Sequence, residues 1–354
     1  MDNLSQSTQG NVEQAPFGAI HHNLSDIMPT SSEIGNLWES YYAECMSVAF
    51  LKNYVEHSKD TDIKPVLQQA LDISTQRVQT METLFNSINH PIPEAFGDKD
   101  VNAKAKPLFS EPFRLLYTRL MHKYILINYT KALTSSYRSD FRNFFSSCIK
   151  TSDEIFQRAT DVLLGKGILM KSPNILIPDR VDYVHNKSYF GKFFGEQKRP
   201  LNALEIGEIY SIIEIQYLTR TLKLGYSQVV KSEKIKNYLS SSKEKTDKNL
   251  EKLTLFLEKE NIVVPMISDI FVTDSEESPL SDRLILSHST AVAAFAITEI
   301  GLAMPDISRK DLVLTMRNLV TDILLIAKEG AELMIEAGWL EKIPETVDRE
   351  ELLH

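Results

Sequence analysis

Cysteine is nearly missing from this sequence: Cys45 and Cys148 are the two in 354 residues, and both fall in the first half. A disulfide framework is therefore not expected. Positive charge is short as well, with 39 Lys and Arg against 48 Asp and Glu, a formal charge of −9 and a pI near 5.5. Binding a phosphate backbone requires a basic face that releases counterions, so nucleic acid is not an expected partner. Long apolar runs are lacking. The longest, Ala291 to Ile297, is stopped by Thr298 and Glu299, far short of the roughly 20 residues of a membrane helix, and no membrane span is expected. Met1 to Gly10 is polar and lacks the basic start and apolar core of a signal peptide, so a cytoplasmic location is expected.

Motifs that carry chemistry are scarce in the same way. No Gly-rich phosphate loop, no Gly-x-Ser-x-Gly elbow, no Cys-x-x-Cys pair and no strand-like alternation of useful length occurs. Hydrolase, kinase and dehydrogenase readings drop out. Cys45 as a nucleophile would need a neighbouring base, and none can be named.

What the chain does have is a unit used twice. Gly167-Ile168-Leu169-Met170-Lys171-Ser172-Pro173 returns as Gly338-Trp339-Leu340-Glu341-Lys342-Ile343-Pro344. Glu33-Ile34-Gly35 matches Glu205-Ile206-Gly207 at an offset of 205 − 33 = 172, which Tyr54/Tyr226, Ile63/Ile235, Leu67/Leu239, Asn89/Asn261 and Pro93/Pro265 keep. After one deletion, Ser110/Ser281, Arg138/Arg309, Asp140/Asp311 and Gly167/Gly338 share offset 171. A register held through most of both halves with one gap marks a duplication.

Within each unit, apolar residues recur at helical spacing. Residues 1–28 form a polar tail expected to be disordered, in which His21-His22 is the one feature; a structural metal wants four ligands, so the pair is given no role. Thr30-Ser31-Ser32-Glu33 supplies a cap and a first-turn carboxylate, and Leu37, Tyr41, Cys45, Val48, Leu51 and Val55 follow as one buried stripe. A second helix runs from about Ile63 to Ile88, a third starts at Ser110-Glu111-Pro112, and a fourth at Ser139-Asp140. In the second unit, helices are expected over about 203–228, 232–260, 282–303 and 309–337. The third of these is rich in Ala and Gly and should be the most buried. Irregular stretches from Asn89 to Phe109 and from Asn261 to Leu280 are too long for tight turns but long enough to run the length of a helix. A ferritin-like bundle has such a crossover between its second and third helices.

Several strings also resemble a known family. Arg199-Pro200-Leu201, Ser227-Gln228-Val229-Val230-Lys231-Ser232, Val272-Thr273-Asp274-Ser275, Ser281-Asp282 and Gly338-Trp339-Leu340-Glu341 with Pro344 and Asp348-Arg349 are similar to domain-of-unknown-function family 3231 of endospore-forming Gram-positive bacteria. The resemblance covers nearly the whole chain past the tail. It implies tandem ferritin-like four-helix domains, distantly similar to spore coat protein F, with no established activity. Family members tend to carry a His on the second helix of each repeat. Arg77 and Asn249 stand at those positions, so a ligand role of that His would be lost here.

A carboxylate-bridged dimetal site needs a Glu from each of two helices and a Glu-x-x-His from each of the other two. Of the eight His, only His185, with Asp182, and His354, with Glu351, have an acidic residue three before, and neither is expected on a bundle helix. Glu299, inside the apolar third helix of the second unit, is the best remaining candidate, with Asn128 at the matching position of the first. His288 lies eleven residues earlier on the same stripe, about 16 Å away and too far for a shared ion. Glu299 could meet Glu214 or Glu329 across the core, or simply bond to a Tyr, Arg or Lys. The metal candidates are therefore Glu214, Glu299, Glu329 and His288, all weak. A lone His122 is expected to be a satisfied core or surface residue.

The expectation is an all-α chain of two tandem ferritin-like four-helix bundles. The first spans 29–172 and the second 201–345, with an aromatic linker at 173–200 docked on the bundles and a short tail at 346–354. No catalytic residue and no cofactor are expected. The function expected is that of a structural or interaction protein of a spore-forming cell, with the spore as a further location and other proteins or a second copy as partners. The alternative is a metal-binding oxidase or peroxide-handling protein with a reduced iron or manganese site in the second unit. The halves should pack as a pseudo-twofold pair, with Phe190, Phe193 and Phe194 buried at the seam.

Overall fold

Local chemistry sets where the helices start. Thr30 caps α1 (Ser31–Glu56) through a capping box with Glu33, and Asn202 caps α5 (Ala203–Val229) through the same box with Glu205. The computed structural model describes residues 23–195, 199–265 and 269–346. His21, His22 and Glu351 to His354 lie outside them. Eight α-helices and no strand occur among the described residues. The remaining helices are α2 (Ile63–Ser87), α3 (Glu111–Thr134), α4 (Ser139–Gly165), α6 (Glu233–Glu258), α7 (Asp282–Ala303) and α8 (Lys310–Glu336).

Helix ends repeat as faithfully as starts. Past α2, α4, α6 and α8 the chain turns through a left-handed residue, Asn89, Gly167, Asn261 and Gly338, with φ of 53°, 68°, 56° and 68°. In each case the next N–H returns to a carbonyl of the last turn, as His90 does to Phe85 and Trp339 to Met334. This satisfies carbonyls that the helix leaves unpaired, and it explains why Gly or Asn stands at all four places.

α1 packs on α2 and α3, and α4 on α2 and α3; α5 packs on α6 and α7, and α8 on α6 and α7. The two-repeat layout is thus visible in the packing. Glu33 is fully buried and accepts from the backbone N–H of Tyr137 and Arg138 at 2.7 Å, tying the α3–α4 turn to the head of α1. Glu205 does the same for Ser308 and Arg309, at 3.1 and 2.9 Å. The repeated Glu-Ile-Gly is therefore a clamp as well as a helix start.

The two crossovers, which precede α3 and α7, pair with each other. Asn102 N–H donates to the Pro279 carbonyl and Thr273 N–H to that of Leu108; Ser281 N–H donates to Asp100 and Ser110 N–H to Phe271. Each bond has its mate at the repeat offset, since 273 − 102 and 281 − 110 are both 171. Isolated antiparallel bridges join Val101 to Leu280 and Phe109 to Val272 on the same rule. Such reciprocity is what a twofold relation produces. Arg283 reinforces the clasp, bonding Asp100 at 2.8 Å, while Glu341 accepts from the N–H of Ala95 at 2.8 Å.

One expectation needs correction. Phe190, Phe193 and Phe194 are 46%, 52% and 79% exposed, not buried at the seam. The crossovers and the contacts between α3 and α7 make the seam in their place. Among the described residues one helix, α7 with the turn after it, Asp282–Asp306, is long and apolar enough by composition to cross a bilayer. About two thirds of its apolar window (67%) is buried inside the protein, so the core accounts for its composition.

Candidate functional site

Of the predicted metal candidates, Glu214 and Glu299 are near enough to share the field of Lys123 and for Glu299 to raise the pKa of Glu214, while Glu329 and His288 stand elsewhere; each has a protein partner. Glu299 is buried on α7, where it accepts from Lys123 Nζ of α3 at 2.6 Å and from Ser211 Oγ of α5 at 2.8 Å. Glu214, on α5, meets Arg119 Nη1 of α3 at 3.0 Å. Burial pushes its carboxyl above the ordinary value, against the pull of Arg119 and Lys123. Glu329 stands at the surface of α8, 3.8 Å from Lys245. Among the described residues, no three His, Cys, Asp or Glu side chains come together as a metal set. Cys45 and Cys148 are free and buried, and burial pushes both thiols up to about 12, which keeps them protonated at neutral pH.

Sequence reasoning picked out Arg77 but missed its partner. In the first half, Arg77 Nη1 donates to Glu44 Oε1 at 2.8 Å, with the two side chains 5% and 0% exposed. Tyr129 donates to the same oxygen at 2.5 Å, and Arg77 Nη2 reaches Thr151, Ser152 and the Cys148 carbonyl. Burial works against the Glu44 carboxylate, but Arg77 and the Tyr129 and Ser74 hydroxyls outweigh it and hold its pKa below normal. Nearby, burial and then Arg77 drive the imidazole of His122 down to about 4, so it stays neutral. The second half has Gln216 and Asn249 at the positions of Glu44 and Arg77, so this ion pair is not shared.

His288 sits where the halves meet. Its Nε2 lies 2.9 Å from the Tyr117 hydroxyl of α3 and its Nδ1 2.8 Å from the Tyr226 hydroxyl of α5. Burial lowers its pKa to about 3. Tyr117 and His288 are counterparts at the repeat offset, which puts this pair at the pseudo-twofold itself.

Beside them opens a cleft of about 200 Å³ between α1, α3 and α7. Its walls are aromatic: Trp38 stacks on Tyr42 with centroids 4.8 Å apart, and Tyr124 on Phe295 at 4.5 Å. Its floor includes Tyr117, His288 and Met46, and Glu39, Lys131, Asn36 and Asn128 contribute its polar lining. The pseudo-symmetry is broken in the lining. Ser40, Ala43, Ala291 and Ala294 line the cleft, whereas the matching positions around α5 and α3 hold Ile212, Ile215, Leu120 and Lys123. On that other side Lys123 bonds Ser211 and Glu299, and a second cavity of about 380 Å³ opens, lined by Leu120, Tyr210, Glu214 and Leu218, the counterparts of Ala291, Trp38, Tyr42 and Met46. No sequence motif announces the cleft, since its residues come from three helices, but the run of smaller residues is visible once the repeats are aligned.

Comparison with known proteins gives a family match. The model of the family described as "Protein of unknown function (DUF3231)" matches twice, over residues 25–181 and 190–352. No curated protein matches. Among solved structures, a candidate spore coat protein from Bacillus halodurans is similar over 44% of this chain and 100% of its own, at 19% identity and a TM-score of 0.40.

Proposed function

The chain belongs to the family of proteins of unknown function DUF3231, and we propose that this member is a non-catalytic structural or interaction protein. The observation that carries the reading is the state of its buried carboxylates. Glu44, Glu214 and Glu299 each already hold a guanidinium or an ammonium, from Arg77, Arg119 and Lys123. A metal ion would have to displace those cations, and at the fully buried Arg77–Glu44 pair that would leave a guanidinium without a counter-charge, at a cost of about 3–5 kcal/mol.

Each half is read as a ferritin-like four-helix bundle, 29–172 and 201–345, with 173–200 as the connector and the two ends as tails. The long crossover between the second and third helix of each half supports that reading. The place of action is read as the cytoplasm and the spore of a spore-forming cell, on the resemblance of the sequence strings given above.

Elemental analysis of the purified protein tests the main point: iron and manganese are expected well below one per chain. Stoichiometric metal that is lost on Glu299→Ala would overturn it. Deletion of the gene with unchanged spore assembly, resistance and germination would remove the spore assignment.

A further inference from the structure

We propose that the cleft between α1, α3 and α7 binds a small, uncharged, planar aromatic molecule that carries one hydrogen-bond acceptor. Size comes first. A dry apolar cavity of about 150 Å³ accepts benzene, so the roughly 200 Å³ here suits one fused pair of rings. A partner helix, about 10–12 Å across with its side chains, is too large. Shape and polarity agree with a flat, neutral guest, because two stacked ring pairs line the space, the buried His288 is held neutral, and the charged Glu39 and Lys131 in the lining are exposed to solvent.

The acceptor follows from counting hydrogens. A neutral imidazole has one N–H, so of the two tyrosine hydroxyls that flank His288 one donates and the other accepts. The accepting hydroxyl keeps a hydrogen with nowhere to go inside the protein. Tyr226 is fully buried, while Tyr117, 5% exposed, lines the cleft. A buried unused donor costs about 1–3 kcal/mol, so the favoured tautomer carries its proton on Nε2. Tyr226 then donates to Nδ1, and the spare hydrogen of Tyr117 is left for whatever enters. The lining agrees: Ser40, Ala43, Ala291 and Ala294 are smaller than their counterparts Ile212, Ile215, Leu120 and Lys123, and Tyr117 lines the same cleft.

Titration calorimetry on the full chain with 1-indanone and indane, which differ by one carbonyl acceptor, tests the inference. Saturable one-to-one binding is expected for both, with the ketone about 3- to 10-fold tighter, the worth of one neutral hydrogen bond. Ala294→Leu fills the cleft from its exposed edge and should weaken both at least tenfold with unchanged helical circular dichroism; Ala43→Leu does the same from α1 should the first variant not fold. Tyr117→Phe should erase the advantage of the ketone. Absence of saturable binding, or affinity that survives filling of the cleft, overturns the proposal, and a ketone preference that survives Tyr117→Phe overturns the role of the hydroxyl.

Discussion

Replacing Arg77 by Met should be among the most damaging single changes in the first half, and its pH dependence should be distinctive. The substitution keeps much of the volume and removes a guanidinium that bonds Glu44, Thr151, Ser152 and the Cys148 carbonyl. Glu44, with no exposed surface, would be left as a buried carboxylate whose remaining partners are hydroxyls. Breaking a buried pair in this way costs about 3–5 kcal/mol, a large share of the roughly 5–15 kcal/mol of an ordinary domain. In the native protein the folded pKa of Glu44 lies below its ordinary value, so its contribution is present above that value and is lost as pH falls through the folded pKa. Without Arg77, burial is opposed only by the Tyr129 and Ser74 hydroxyls, and the folded pKa should rise above the unfolded one. The folded variant then takes up a proton that the unfolded chain releases, and the deficit relative to the native protein should narrow from about pH 8 to about pH 5. Urea unfolding followed by circular dichroism measures it. The double variant Arg77→Met/Glu44→Leu should recover most of the loss, because removing both charges removes the unpaired one. A deficit below about 1 kcal/mol, one that does not change with pH, or a double variant no better than the single would refute the reasoning.

Gly225→Ala should destabilise by about 1–3 kcal/mol by overpacking, since a Cβ there would lie 2.6 Å from the Phe109 ring of the opposite crossover; partial rescue by Phe109→Leu in urea titrations checks the cause. Gly167→Ala and Gly338→Ala, at φ of 68° with open space around each, should lose about 1–2 kcal/mol apiece from backbone strain alone, seen as lower melting points, with Asn tolerated better. Burial lowers His122 to about 4 and His288 to about 3, from an ordinary value of 6.5. The unfolded chain therefore takes up protons first, and stability should decline as pH falls below about 6.5. The slope of unfolding free energy against pH should shrink by up to one proton for each of His122→Gln and His288→Gln; a slope unchanged in the double variant would refute it.

Much of the fold is legible because its signals are local. Thr30, Asn202, Ser281 and the left-handed Asn and Gly residues act within one turn of themselves, and a duplicated register tells a reader to look for each twice. Glu33 shows the limit: its place in the first turn of α1 is plain in the sequence, but its bonds to Tyr137 and Arg138 depend on how α3 and α4 come back over α1. The same holds for Glu44, which reads as one more charged residue on a helix until α2 brings Arg77 against it. Phe190, Phe193 and Phe194 mislead in the other direction, since ring content says that a surface would be useful and not that one is free. Trp38, Ala43, Tyr124 and Ala294 lie on three helices from both repeats, so the cleft belongs to an assembly of halves and to no stretch of chain.

The reciprocal clasp of the crossovers also bears on what the chain between the halves is for. Bonds such as Asn102 to Pro279 and Thr273 to Leu108 do not depend on the peptide chain that runs between them, and the stretch from Pro173 to Gly195 is largely exposed. Its service is to local concentration: a tether of this length presents each half to the other at roughly millimolar strength, which speeds the meeting without adding to the contact. A protease that cuts at Leu176 or Ile177, both above 90% exposed, would then yield two fragments that travel as one particle and separate only when the clasp itself is unfolded.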